Sequence, residues 1–203
     1  ATPPAVVDAI CGALSEAPIE AKLALLRTLR TAGGVKALQT VQAAAADSDE
    51  QVKDTALRVV CEWSTTDALP MVAELVKSPP SKTIKVLALR GFVRLVPQQD
   101  APDAKKLESL QDAMAQAERN EEKRLVLSAL GNVPSIGSLA VVTSHLETPD
   151  LKEEACLAAV AIAEKIASAH GAEVAAAMSQ VAKLTANEKL AARAKALARK
   201  AKQ

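Results

Sequence analysis

Between Gly34 and Trp63 the apolar residues fall into two helical stripes separated by a polar break. In GVKALQTVQAAAADSDEQVKDTALRVVCEW, Val35, Leu38, Val41 and Ala45 recur at about one helical turn, the spacing that lets one face of an α-helix bury. Val52, Ala56, Val59, Val60 and Trp63 repeat the pattern further on. Between the stripes, Ala46-Asp47-Ser48-Asp49 is turn chemistry. Ser48 and Gln51 have the spacing of a capping box, which satisfies free backbone N–H groups at a helix start. The stretch predicts two amphipathic helices joined by a tight turn.

The same unit recurs along the chain. Leu26-Arg27, Leu57-Arg58 and Leu89-Arg90 lie at spacings of 31 and 32, and the slot continues as Leu127-Ser128 and Leu157-Ala158 after steps of 38 and 30. Lys22, Lys53, Lys85 and Lys123 each sit four residues before one of these leucines. A fixed period of this length signals a repeat architecture. Six helical hairpins are expected, at about 4–32, 34–63, 67–96, 104–133, 135–169 and 172–202, in one domain spanning 1–203.

Local signals place the boundaries. Val6, Ile10 and Leu14 are expected on the buried face of the first helix, and Gly33-Gly34 ends the first hairpin because glycine tolerates the required backbone conformation. Pro79-Pro80-Ser81 marks the third turn. Val96 to Pro102 is the longest polar connection and a candidate hinge or functional loop. Further on, Asn120 is a candidate helix cap, Thr148-Pro149 reads as a cap followed by proline at the first helical position, and His170-Gly171 reads as a helix end. Thr185 with Glu188 has capping-box spacing.

Composition narrows the fold class to all-α. Alanine is abundant, aromatics make up 1%, and there are only 7 glycines, which suits closely packed helices rather than sheets. The 25 basic and 24 acidic side chains nearly cancel, so bulk charge advertises neither nucleic acid nor an anionic membrane. No run approaches the ~18 apolar residues of a membrane span. The three cysteines, Cys11, Cys61 and Cys156, are far apart and contain no C-x-x-C pair, so they read as buried inert thiols rather than a disulfide framework or a zinc site. No signal peptide is evident, and the Ala1-Thr2-Pro3-Pro4 start fits an excised domain, a processed exported protein or a cytosolic chain without its Met.

Stacked two-helix units of this length make an α-solenoid. Asp47 and Asp49 in the turn, then Val52-Lys53, Ala56-Leu57 and Val60, resemble a HEAT repeat, and the resemblance extends over nearly the whole chain. Tetratricopeptide repeats are less similar, since their Trp, Tyr and Pro landmarks are missing. The HEAT resemblance implies a right-handed α-α superhelix and a non-catalytic scaffold that binds a protein or peptide along the concave face of the second helices. It implies a monomer as well, because a stack buries its core without a second copy. HEAT segments of larger bacterial multi-domain proteins are similar, and this favours an exported or periplasmic location over a cytoplasmic one. One departure is that Lys22, Lys53 and Lys85 stand where HEAT repeats usually carry arginine, which weakens the expected Asp–Arg ladder.

Catalytic and cofactor fingerprints are missing: there is no H-E-x-x-H, G-x-S-x-G, P-loop or dinucleotide motif, and His145 and His170 stand alone. The chain is therefore expected to be no enzyme, with no cofactor and no metal. The candidate partner-binding residues are Arg27, Arg58 and Arg90, which recur with the repeat, with Arg30 and Arg94 one turn further on. Guanidinium groups in such a row suit carboxylates or phosphates. The competing reading pairs them with acids such as Asp54, Glu62 and Glu74. The basic last helix (Lys189, Arg193, Lys195, Arg199, Lys200, Lys202) reads as a solvated capping face. The alternative function is nucleic-acid binding or DNA processing of the HEAT-like DNA glycosylase type. It fits poorly, since such proteins rely on exposed aromatics and only Trp63 and Phe92 are present, both at core-like positions. A structural spacer is the third reading, and nothing discriminates for a bilin-lyase-like one.

Overall fold

A computed structural model describes residues 2–201, which are all-helical, with twelve α-helices and no strand. The chain divides into two compact units, Ala1–Leu95 and Val96–Gln203.

The first unit holds α1 (Pro4–Leu14), α2 (Ile19–Ala32), α3 (Val35–Ala44), α4 (Glu50–Cys61), α5 (Leu69–Lys77) and α6 (Lys82–Leu95), with a 3-10 turn at Thr66–Ala68. Consecutive helices pack as α1 on α2, α3 on α4 and α5 on α6, while α2 packs on α4 and α4 on α6. Leu26, Leu29, Val41, Ala56, Val60, Trp63, Ile84, Ala88 and Leu89 form the core. Each large aliphatic side chain removed from water in this way contributes roughly 1.5–3 kcal/mol before conformational entropy is counted.

Two expected core positions are outside. Val6 is 45% and Val35 65% exposed, and the buried faces run instead through Val7 and Leu14 on α1 and through Ala37, Leu38, Val41 and Ala44 on α3. On α3 the small residues Ala37 and Ala44 take inward positions, whereas on α1 Val7 replaces its neighbour Val6. The α4 cap is also shifted. Asp49, not Ser48, accepts from Gln51 N–H (2.9 Å) and Val52 N–H (3.1 Å), and Asp47 accepts from Asp49 N–H (2.9 Å). Gly33 and Gly34 take positive φ values of 69° and 89°, as expected of the glycines ending the first helix pair.

Close approach of α4 and α6 depends on Gly91. A methyl group there would collide with the Cys61 carbonyl oxygen, so the absence of a side chain lets one helix lie against the backbone of the other.

The second unit holds α7 (Asp103–Gln116), α8 (Asn120–Leu130), α9 (Ile136–Thr143), α10 (Lys152–Ile166), α11 (Gly171–Leu184) and α12 (Glu188–Lys200). Here α8, α9, α11 and α12 all pack on α10, around a core that includes Leu127, Leu130, Leu146, Ile162 and Met178. The polar connection expected between 96 and 102 opens as a 3-10 turn, Val96–Gln98, with Val96 fully buried.

Four boundary signals resolve differently from expectation. Asn120 lies inside α8, and the start of that helix is held by Glu122, whose carboxylate accepts from the N–H groups of Glu118 (2.9 Å) and Arg119 (3.2 Å). α10 begins at Lys152, with Pro149 in the preceding turn, and the Thr148 carbonyl accepts from Leu151 and Lys152. α10 closes at Ile166, so His170-Gly171 opens α11 instead of ending α10. The α12 cap is Asn187, which accepts from Leu190 N–H at 3.1 Å, while Thr185 is drawn away to Glu153. Side chains hold the starts of α8 and α12, from Glu122 and Asn187, whereas backbone carbonyls alone hold the start of α10.

Candidate functional site

The arginine row lies on three packed neighbours in the first unit: Arg27 and Arg30 on α2, Arg58 on α4, Arg90 and Arg94 on α6. Burial explains why these positions are polar. On each helix the leucine before the arginine is inside (Leu26 0%, Leu57 7%, Leu89 1%), and Arg27, Arg58 and Arg90 are exposed.

Two cross-helix contacts set the register. Arg30 forms an ion pair with Glu62, 32 residues on, and Arg94 Nη2 donates to the carbonyls of Trp63 (2.7 Å) and Cys61 (3.3 Å), 31 and 33 residues back. A residue on one helix is therefore level with the residue about 32 further on in the next. Arg30, Glu62 and Arg94 make one tier. Arg27, Arg58 and Arg90 make a second tier one helical turn below.

The tiers differ in electrostatics. Glu62 neutralises part of the upper one. Burial lowers the Arg94 pKa from its ordinary value, and the Glu62 charge opposes that shift. In the lower tier, Arg58 Nε donates to Asp54 Oδ2 at 2.6 Å, and that bond and charge raise the Arg58 pKa. Arg27 and Arg90 have no hydrogen bond or ion pair among the described residues. The pairing of the row with acids thus holds for Arg30 and Arg58 but not for Arg27 and Arg90. Glu74 pairs instead with Lys77, at 3.8 Å.

The row stops within the first unit. In α8 its slot is the exposed Ser128. In α10 the slot falls one residue earlier than the sequence alignment has it, because Leu157 is 45% exposed and Ala158 only 4%, so Cys156 takes the buried leucine's place.

No family model, no curated protein and no solved structure matches the chain.

Other polar contacts link successive helix pairs. Lys36 reaches Asp8 (2.7 Å), Asn120 donates to Asp150 (2.8 Å), Glu153 accepts from Thr185 Oγ1 (2.6 Å) and Ala186 N–H (2.9 Å), and Arg193 donates to Glu164 (2.6 Å). These contacts and those of Arg30 and Arg94 join residues 28 to 33 apart. Of the recurring lysines, Lys22 lies 3.9 Å from Asp47 in the turn before α4, whereas Lys53 bonds locally to Glu50. Sequence reasoning missed Asp150 in a turn and Glu153 at a helix start, since an acid at either place gives no local sign of its distant partner.

In the second unit, an open groove of about 290 Å³ between α11 and α12 is floored by Ala182 and Ala198 and edged by Lys183, Lys195 and Arg199. Another, of about 420 Å³, lies between the end of α9 and α11, with Glu147, Gln180 and Lys183 on its rim. His145 is half-buried in the turn after α9, where burial and then the Lys123 charge lower its pKa. His170 lies 4.0 Å from Glu173 at the start of α11. Among the described residues, no three His, Cys, Asp or Glu side chains converge as a metal site, and no helix is long and apolar enough to cross a membrane.

Proposed function

We propose that the chain is an α-solenoid of six HEAT-like hairpins, wound as a right-handed superhelix, and that it works as a monomeric, non-catalytic scaffold binding a protein or peptide along the second helices. Helices paired in chain order support the repeat reading, as do polar contacts that join residues 28 to 33 apart. The observation that carries the binding reading is the tier of Arg27, Arg58 and Arg90, two of whose three guanidinium groups are exposed and without a partner among the described residues. Arginine offers five donors in a planar fork suited to carboxylates, and an exposed guanidinium without an acid is available for that use. Asp54 and Glu62 interleave with the cations, which suits a discrete acidic segment better than a continuous phosphate backbone.

The test is cross-linking of the tagged chain in source-organism lysate, with partners identified by mass spectrometry for the wild type and for an Arg27→Glu, Arg90→Glu variant. The scaffold reading expects a protein partner that the variant loses. Retention of every partner by the variant would remove the row from the function. Tight binding of duplex DNA that collapses with salt, as counterion release requires, would favour the nucleic-acid reading instead.

A further inference from the structure

We infer that the Arg27–Arg58–Arg90 tier takes an extended acidic segment whose carboxylates recur at every third residue. This rests on the scaffold reading above and names its partner class.

The spacing of the tier carries the inference. Packed helices lie about 8–10 Å apart axis to axis, and α2, α4 and α6 are successive packed neighbours. The 32-residue offset set by Arg30–Glu62 and centred on the Arg94 contacts keeps Arg90 level with Arg58, and Arg27 within one residue of level. Three arginine positions on successive packed helices are therefore separated by roughly that interval.

Few peptide conformations match it. A polyproline II segment advances ~3.1 Å per residue and returns to the same face every three residues, or about 9.3 Å. A β-strand returns after two residues, about 6.6 Å, and falls out of step by the second arginine. An α-helix reaches about 10.5 Å only over two turns, so it would need some fifteen residues to touch all three cations and is marginal in water at that length. The extended segment needs seven and is largely preorganised.

The surroundings restrict the occupant further. Asp54 engages Arg58 through Nε, which leaves the two Nη groups for an incoming carboxylate. Glu62, between Arg30 and Arg94, repels an acid placed one turn higher and so confines the segment to the lower tier.

The test compares two fluorescein-labelled peptides of identical composition and charge, Glu-Pro-Pro-Glu-Pro-Pro-Glu and Glu-Glu-Glu-Pro-Pro-Pro-Pro, by anisotropy at low salt. The spaced peptide is expected to bind about tenfold more tightly, the gain from two further exposed ion pairs. Both Arg27→Glu, Arg90→Glu and the milder Arg27→Gln, Arg90→Gln variant should lose that preference while keeping the wild-type circular dichroism spectrum. Equal binding of the two peptides, binding of neither, or a preference that survives in folded variants would overturn the inference. If neither peptide binds but the glutamate variant still loses its cross-linked partner, the partner class falls and the scaffold reading stands. If the variant also keeps that partner, both fall.

Discussion

Arg94 Nη2 donates to the Trp63 carbonyl oxygen at 2.7 Å and also reaches the Cys61 carbonyl, so a side chain of α6 caps the exit of α4. The final carbonyls of a helix have no partner within it, and a guanidinium that reaches the last carbonyl of α4, at Cys61, and the Trp63 carbonyl just beyond couples the neighbouring helix pairs. Arg94→Ala is expected to destabilise the protein by roughly 1–2 kcal/mol, read as a lower urea midpoint with an unchanged slope. Arg94→Lys should recover only part of this, because a flexible, strongly hydrated ammonium lacks the preorganised donor directions of the guanidinium. A midpoint for Arg94→Ala equal to wild type would mean that water caps α4 equally well.

Gly91→Ala should lower the melting temperature more than any surface change in the first unit. The added methyl group meets backbone, the Cys61 carbonyl, and cannot be accommodated by a rotamer change. Overpacking of this kind costs about 1–3 kcal/mol. Gly12→Ala is the control, with nothing near its added methyl group, and should be neutral or stabilising.

Trp63 is 1% exposed, yet its indole Nε1 is buried without a hydrogen-bond partner among the described residues. Trp63→Phe removes that unsatisfied N–H along with some volume, and the two effects oppose each other, so a change within about 1.5 kcal/mol is expected. Trp63→Ala leaves a cavity and should cost about 3–5 kcal/mol. A large loss for Trp63→Phe would point to a water or ligand bound at Nε1.

Thiol reactivity should separate the three cysteines. Burial pushes Cys61 up to about 12 and Cys156 up to about 11, with the charges of Glu62 and Glu153 adding to the shift, while Cys11 is only half-buried. At mildly alkaline pH, Ellman's reagent should titrate a single fast thiol in the native protein, one that Cys11→Ser removes, and all three in denaturant. Fast labelling of Cys61 or Cys156 would mean that their helices open readily.

Acid should weaken the second unit through two carboxylates. Burial pushes Glu122 up, but the Arg119 and Glu118 hydrogen bonds together with the Arg119 charge outweigh it and bring its pKa below the ordinary value. Glu153 is lowered by the Ala186 N–H, then by Thr185. Depressed folded pKa values mean that the unfolded chain binds more protons as pH falls. This stabilisation is complete above the unfolded carboxylate pKa of about 4.3 and is lost as pH drops through the folded values. Glu122→Gln should be less stable than wild type at neutral pH by about 1 kcal/mol, and the gap should close in acid. A gap that persists in acid would make Glu122 a packing residue only.

Helix content and helix order were legible in the chain by itself, because period-3.6 stripes such as Val52, Ala56, Val59 and Val60 act over a single turn and need no distant partner. The recurring Leu-Arg pair likewise exposed a repeat, and with it the candidate row. Register and pairing were not legible. Whether Val6 or Val7 faces inward depends on what packs opposite, and the two differ by one residue in an apolar run. Asp49 displaced Ser48 as a cap by a shift of one residue, and Glu153, 32 residues away, drew Thr185 from its expected role, so helix ends take whichever acceptor the fold presents. The sequence thus determined where helices form and that arginine recurs on every second one through α6. Tertiary structure decided which of those arginines keep a free guanidinium, since Glu62 comes into reach of Arg30 only when α2 and α4 pack, and among the described residues no acid is brought to Arg27 or Arg90.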